Sequence, residues 1–133
     1  MRTVRLVTIA CLLAATLAGQ PKRILYVTLS AGFKHDSIPA SIEALKQIAA
    51  QSGKLEVVQT EDVSLLNAAA LRDFDAVMFF TTGELPISAA QKRDLLDFVR
   101  NGKGFGGVHS ATYTFYQWPE YGELVGGYFK SHP

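Results

Sequence analysis

Short apolar runs that alternate with amphipathic segments constrain the fold of this chain more than any other feature. Four runs are rich in β-branched or other apolar residues and bounded by polar ones, as buried strands are. They are Arg23–Leu29, Lys54–Thr60, Asp75–Thr82 and Gly104–Val108. The order β-α-β-α-β-α-β predicts an α/β domain with a mostly parallel sheet and helices on both faces.

The segments between these runs carry start and stop signals of helices. Ser37 or Asp36 is the expected cap of the first helix, and Ser88 with Gln91 forms a capping-box pattern before the third. The predicted helices run from Ile38 to the stop at Gly53, over Asn67–Phe74, from Ser88 to Asn101, and over Pro119–Val125. Helical spacing of apolar residues in the longer two predicts that each buries one face.

Residues 1–18 have the layout of a secretory signal peptide. Arg2 and Arg5 precede an apolar run from Leu6 to Ala18, which ends in small residues suited to cleavage. The run is short for a bilayer span, so no stable membrane insertion is expected after cleavage. We therefore expect an exported protein, periplasmic or extracellular. A buried N-terminal helix is the less favoured alternative.

Cysteine and charge content exclude several classes of function. The single cysteine, Cys11, lies in the predicted signal peptide, so disulfides, thiolate metal sites and cysteine nucleophiles are excluded from the mature chain. The net charge is +1 with no basic run, which argues against nucleic acid as a partner. A small molecule is the expected partner, and nothing indicates an oligomeric state.

Polar residues follow three of the four predicted strands. Ligands of open parallel sheets bind beyond the carboxyl ends of the strands, so these side chains are expected to share one edge. The candidates are His35 after the first strand, Glu84 after the third, and His109, Ser110, Thr112 and Tyr113 after the fourth. The sequence therefore predicts a ligand pocket at the carboxyl edge of the sheet.

Two kinds of chemistry fit these residues. His35, His109 and His132 could supply the imidazole ligands of a divalent ion such as zinc. The same histidines and Glu84 also suit acid–base chemistry without a metal. Their wide separation in the sequence matches no local metal-binding motif, so the cofactor stays open at this point.

Three segments of the chain resemble the ThuA-like family, which is named for trehalose utilisation. They are Gly32–Pro39 (GFKHDSIP), Thr81–Ser88 (TTGELPIS) and the long segment Gly102–Pro133. The family belongs to the class I glutamine amidotransferase-like superfamily, so the resemblance implies a flavodoxin-like fold for residues 23–133. In the amidotransferase relatives a cysteine follows the strand. Here His109 stands in the matching turn Gly107–Ala111, so the chain is not a cysteine-dependent amidotransferase.

The resemblance also implies a site and a substrate class. His109 is the expected catalytic centre with His35 and Glu84 as its partners. The expected substrate contacts are Ser110, Thr112, Tyr113, Trp118 and Glu120, with His132 in the same motif. The family is associated with sugar metabolism, so we expect chemistry on a sugar or keto-sugar derivative by a hydrolase, lyase or isomerase reaction.

The family's domains usually continue beyond the motif at Gly126–Pro133 (GGYFKSHP), where this chain ends. We therefore expect residues 23–133 to be the N-terminal part of a longer, C-terminally truncated ThuA-like domain. Two alternatives to an enzyme stay open. One is a carbohydrate-binding domain without catalysis, and the other is a nonfunctional fragment.

Overall fold

The computed structural model of the chain describes residues 19–132. The predicted signal peptide at residues 1–18, with Cys11, lies outside the described residues. Within the described range, no helix is both long and apolar enough to cross a membrane.

The sheet contains four parallel strands. They are Lys22–Val27 (β1), Leu55–Thr60 (β2), Ala76–Phe79 (β3) and Gly104–Gly107 (β4). Their spatial order is β2-β1-β3-β4, and every pairing is parallel. This order matches the first four positions of the flavodoxin-like sheet, so the predicted fold class is confirmed. In that arrangement the chain reverses direction across the sheet between β1 and β3, where ligand crevices form.

Four helices connect or follow the strands. They are Ile38–Ser52 (α1), Ala68–Leu71 (α2), Ala89–Arg100 (α3) and Pro119–Val125 (α4). The predicted capping box before α3 is present, and Gly53 ends α1 in the left-handed conformation. The predicted cap of α1 differs, because the Ser37 side chain makes no capping hydrogen bond and Pro39 occupies the first turn. Proline lacks the N–H that a cap would satisfy.

The two faces of the sheet bury different sets of side chains, because neighbouring residues of a strand point to opposite faces. Leu25, Val27, Val77 and Phe79 lie in the larger core with residues of α2, α3 and α4. Tyr26 and Phe80 lie on the opposite face. There they pack with Ile38, Ile42 and Leu45 of α1. Helices thus cover both faces, as the sequence predicts.

Candidate functional site

The loop after β1 is tied to the end of β3. The amide groups of Ala31 and Gly32 donate to the carbonyl oxygen of Thr82 at 2.8 and 3.2 Å. The Thr82 hydroxyl in turn donates to the carbonyl oxygen of Phe33 at 2.8 Å. A Cβ at Gly83 would lie 2.7 Å from the Gly32 nitrogen, so this close approach requires glycine. These contacts fix the segment that carries His35.

His35 and His109 come from distant parts of the sequence and meet at the carboxyl edge of the sheet. Their ring centroids are 4.5 Å apart, with the rings edge to face at 77°. Phe80 lies near both, with its ring centroid 5.9 Å from that of His35 and 5.7 Å from that of His109. The ring of Phe33 is also close to His35, with centroids 4.9 Å apart. Aromatic packing thus holds the two imidazoles together.

The backbone of His109 is left-handed, with φ 49°. It begins the 3-10 helix His109–Tyr113, directly after β4 and Val108. A Cβ at Gly107 would lie 2.9 Å from the Cβ of Ala111, so glycine lets the chain turn sharply here. A left-handed conformation costs a residue with a side chain about 1–2 kcal/mol, and such strain concentrates at functional sites. The turn places the exposed imidazole of His109 at the edge of the sheet.

A cavity of about 340 Å³ adjoins the two histidines. This volume lies near the lower end of the range of small-molecule sites, about 300–1,000 Å³. The cavity is lined by Phe33, His35, His109, Ser110, Thr112, Tyr113, Phe129 and His132. Six of the residues that the sequence singled out therefore share one cavity, which we call the histidine cavity.

The Ser110 hydroxyl is buried in the wall of the histidine cavity, and no group among residues 19–132 is placed to form a hydrogen bond with it. The residue is 8% exposed. A buried hydroxyl without a partner costs about 1–3 kcal/mol, so most such groups have one. A ligand hydroxyl or carbonyl in the cavity would supply the missing partner.

Glu84 does not line the histidine cavity, although the sequence predicts it as a partner of the histidines. Its exposed carboxylate instead accepts a hydrogen bond from the backbone nitrogen of Gln117 at 3.1 Å. The neighbouring Gly83 pairs with Thr114, which brings Glu84 beside the segment before α4. Its position favours a role in fixing that segment.

Trp118 and Glu120 also lie outside the histidine cavity, and their role as substrate contacts stays a prediction that this position does not favour. Trp118 is 5% exposed and lies in the larger core, where its ring stacks on Tyr121 at 5.7 Å. Burial against the apolar face of α4 removes it from reach of a ligand in the cavity. Glu120 lies in the first turn of α4 and is exposed to solvent.

The three histidines that the sequence offers as metal ligands are not arranged around a common point. His132 lines the histidine cavity but packs on the ring of Phe129, with centroids 4.8 Å apart. Among residues 19–132, no group of three or more His, Cys, Asp or Glu side chains is placed to hold a metal ion. Catalytic zinc takes three protein ligands, which this arrangement does not supply.

Phe33 and Phe129 line the histidine cavity but received no role in the sequence analysis. Phe33 is 68% exposed, and its ring lies 4.9 Å from that of His35. It precedes His35 by two positions in the segment GFKH. An aromatic residue beside a candidate histidine at a strand end is the signal that could have identified it.

A larger cleft, of about 580 Å³, lies between α2 and α3. Its lining includes Leu71 and Phe98 together with the charged residues Arg72, Asp94 and Lys103. Arg72 and Lys103 precede β3 and β4, so the cleft lies toward the amino edge of the sheet. Its lining in the described structure contains no histidine. Because the histidine side chains line the smaller cavity, we take the histidine cavity as the candidate functional site.

The parallel sheet, its strand order and the pocket at its carboxyl edge define an α/β protein of the flavodoxin-like class. Residues 23–133 match the family model for ThuA, described as trehalose utilisation, and the chain belongs to that family.

A solved structure of similar fold is that of a protein described as ThuA-like from Bacteroides uniformis. It is 20% identical in sequence, with a TM-score of 0.69, and the match covers 87% of this chain. The match covers 49% of the solved chain, so the present chain spans about half the length of that relative. No curated protein gives a significant match.

Proposed function

We propose that this ThuA family protein acts on a sugar or keto-sugar derivative bound in the histidine cavity. The observation that carries the proposal is the contact of His35 with His109 beside the unpaired hydroxyl of Ser110. The family's description, trehalose utilisation, supports a sugar as the substrate. Residues 1–18 support a periplasmic or extracellular location, which stays a prediction.

In the proposed reaction, His109 transfers a proton to or from the substrate. Its strained turn holds the imidazole at the cavity, and His35 packs against it and restricts its orientation. Imidazole exchanges protons near neutral pH, which suits hydrolysis, elimination and isomerisation alike. Ser110 would bind a hydroxyl or carbonyl oxygen of the sugar and position it for that transfer.

Replacement of His109 tests this proposal. Loss of a general acid or base typically lowers turnover about 10²–10⁴-fold, and we expect a loss of this size for His109→Ala. The assay is product formation from a panel of sugars and 3-keto-sugars that includes trehalose. Asn101→Ala, in the larger cleft, is the matched control and should keep full activity. Full activity of His109→Ala on every accepted substrate would show that the assignment is wrong.

One observation favours a second candidate, a carbohydrate-binding domain without catalysis. The described residues that line the histidine cavity include no carboxylate, whereas most glycoside hydrolases use two. Calorimetry beside product analysis separates the two candidates. Saturable sugar binding without any product would identify the binding domain, and turnover that requires His109 would identify the enzyme.

A further inference from the structure

A second cleft adjoins the histidine cavity. It has a volume of about 550 Å³ and is lined by Tyr113, Tyr116, Tyr128, Phe129 and Lys130. Tyr113 and Phe129 line both spaces, so the two lie side by side. A ligand that fills the histidine cavity could therefore extend over these tyrosines without leaving the protein surface.

The ring of Tyr116 is held in a fixed plane within this second cleft. It stacks on Tyr128, with centroids 4.9 Å apart and planes 20° from parallel. The Tyr116 hydroxyl donates to the carbonyl oxygen of Phe129, and that of Tyr128 donates to the carbonyl oxygen of Phe115 at 2.9 Å. Tyr116 nevertheless remains 40% exposed. Because the ring is already ordered, binding on it would cost little conformational entropy.

Tyr113 forms the second wall of this surface. Its ring is 41% exposed and meets the Tyr116 ring edge to face, 5.4 Å between centroids and at 77°. We call these two exposed rings the tyrosine platform. The two rings are nearly perpendicular and both face an open cleft. Rings at this angle let a flat ligand ring stack on one tyrosine and contact the edge of the other.

The lining of the cleft at the tyrosine platform carries little charge. Lys130 is the one charged residue among the described residues that line the cleft. Burial, with a smaller contribution from Tyr113, raises the pKa of Tyr116, and burial also raises the pKa of Tyr128. Both phenols thus stay uncharged at physiological pH. A sugar ring is neutral, and its apolar C–H face suits stacking on an aromatic ring.

We propose that the tyrosine platform is a second sugar subsite, which binds the second ring of a glycoside whose first ring occupies the histidine cavity. This inference rests on the proposed function, since it requires a sugar in the histidine cavity. Tyr116 is the residue that determines the preference for a two-ring substrate, because its ring provides the main stacking plane.

Binding measurements on the full chain test this subsite. Calorimetry compares trehalose with methyl α-glucoside, which has one sugar ring, and with phenyl α-glucoside, whose second ring is aromatic. We expect trehalose to bind about fivefold or more tightly than methyl α-glucoside, as a stacking contact of about 1 kcal/mol provides. Tyr116→Ala should remove this difference and leave the affinity for methyl α-glucoside unchanged.

Two further variants sharpen the test. Tyr116→Phe keeps the stacking plane and should retain the preference for trehalose. Ile48→Ala, an exposed apolar position on α1, is the control for loss of an exposed side chain and should behave as wild type. The comparison of ligands on wild type needs no variant, so it decides the proposal even where Tyr116→Ala fails to fold.

The outcomes separate this inference from the proposed function. Equal affinity of wild type for methyl α-glucoside and trehalose would overturn the tyrosine platform and leave the histidine cavity standing. If phenyl α-glucoside binds more tightly than methyl α-glucoside but trehalose does not, the platform is a site for aryl groups, and the sugar subsite is overturned. Absence of binding by every sugar would overturn the proposed function and the subsite together.

Discussion

His109 combines a candidate catalytic side chain with a backbone conformation that disfavours any side chain. Its φ of 49° follows from the sharp turn between β4 and the 3-10 helix. The conformation is the type that only glycine adopts at little cost. A chain selected for stability alone would place glycine there. Buried Phe115, with φ 57°, has the same kind of conformation, so the strain at His109 identifies a residue to test and does not by itself assign a role.

Two variants of His109 separate its side chain from its backbone strain. Alanine retains the left-handed strain, whereas glycine relieves it, and both remove the imidazole. We expect the free energy of unfolding of His109→Gly to exceed that of His109→Ala by about 1 kcal/mol. Urea denaturation measures this difference. Equal stabilities would contradict the left-handed conformation.

At the scale of secondary structure, a capping box formed by Ser88 and Gln91 fixes the start of α3. The Ser88 hydroxyl accepts from the Gln91 backbone nitrogen at 3.2 Å, and the Gln91 side chain accepts from the Ser88 nitrogen at 3.0 Å. The Gln91 amide group also donates to the carbonyl oxygen of Val63 at 2.7 Å. The cap thus joins α3 to the segment after β2.

Loss of this cap should weaken the fold. We expect Ser88→Ala to lower the free energy of unfolding by about 1 kcal/mol, because one backbone N–H of α3 loses its acceptor. Ser88→Thr keeps a hydroxyl and serves as the control. Denaturation in urea gives both values, and an unchanged midpoint for Ser88→Ala would count against the capping box.

The elements were predictable from the sequence, but their ends were not. The predicted strand Asp75–Thr82 is apolar from Ala76 to Phe80, yet β3 covers only Ala76–Phe79. Phe80, Thr81 and Thr82 remain buried after they leave the ladder. Likewise the predicted helix extends to Phe74, whereas α2 ends at Leu71 and Phe74 is buried in the turn that follows. Apolar character reports burial, and burial continues where regular hydrogen bonding has ended.

At the scale of the whole molecule, Asp75 joins three segments at the amino edge of the sheet. Its carboxylate accepts from the Arg23 backbone nitrogen at 3.0 Å, from Lys22 at 3.2 Å and from Lys103 at 3.4 Å. The bond from Arg23, followed by that from Lys22, lowers the pKa of Asp75 to about 2. The folded chain therefore favours the ionised carboxylate.

This shift predicts a dependence of stability on pH. Because the pKa is lower in the folded state than the ordinary value of about 3.9, the stabilisation is present above pH 4 and is lost as the pH falls toward 2. Asp75→Asn should therefore be less stable than wild type at pH 7, with a difference that disappears near pH 2. Urea denaturation across this range tests it. Asp73→Asn, at an exposed position nearby, is the control and should show no such convergence.

The site was predictable only as far as the rule for parallel sheets reaches. That rule places His35 and His109 at one edge, where the structure has them in contact. The rule does not say which side chains at that edge face the cavity. The sequence alone therefore could not show that Glu84 and Trp118 lie outside it. Their positions depend on the Gly83–Thr114 bridge and on the packing of α4, which are tertiary contacts.

The histidine cavity exists only when β1 and β4 occupy their places in one sheet, since the segment after each strand carries one of the two imidazoles. The unfolded chain therefore offers no comparable site, and any specific ligand must shift the equilibrium toward the native state. At a ligand concentration of about 100 times Kd, linkage adds about 2.7 kcal/mol to the stability. A rise in melting temperature with a given sugar thus reports binding to the native state before any reaction is known, and loss of the rise in His109→Ala would assign that binding to the histidine cavity.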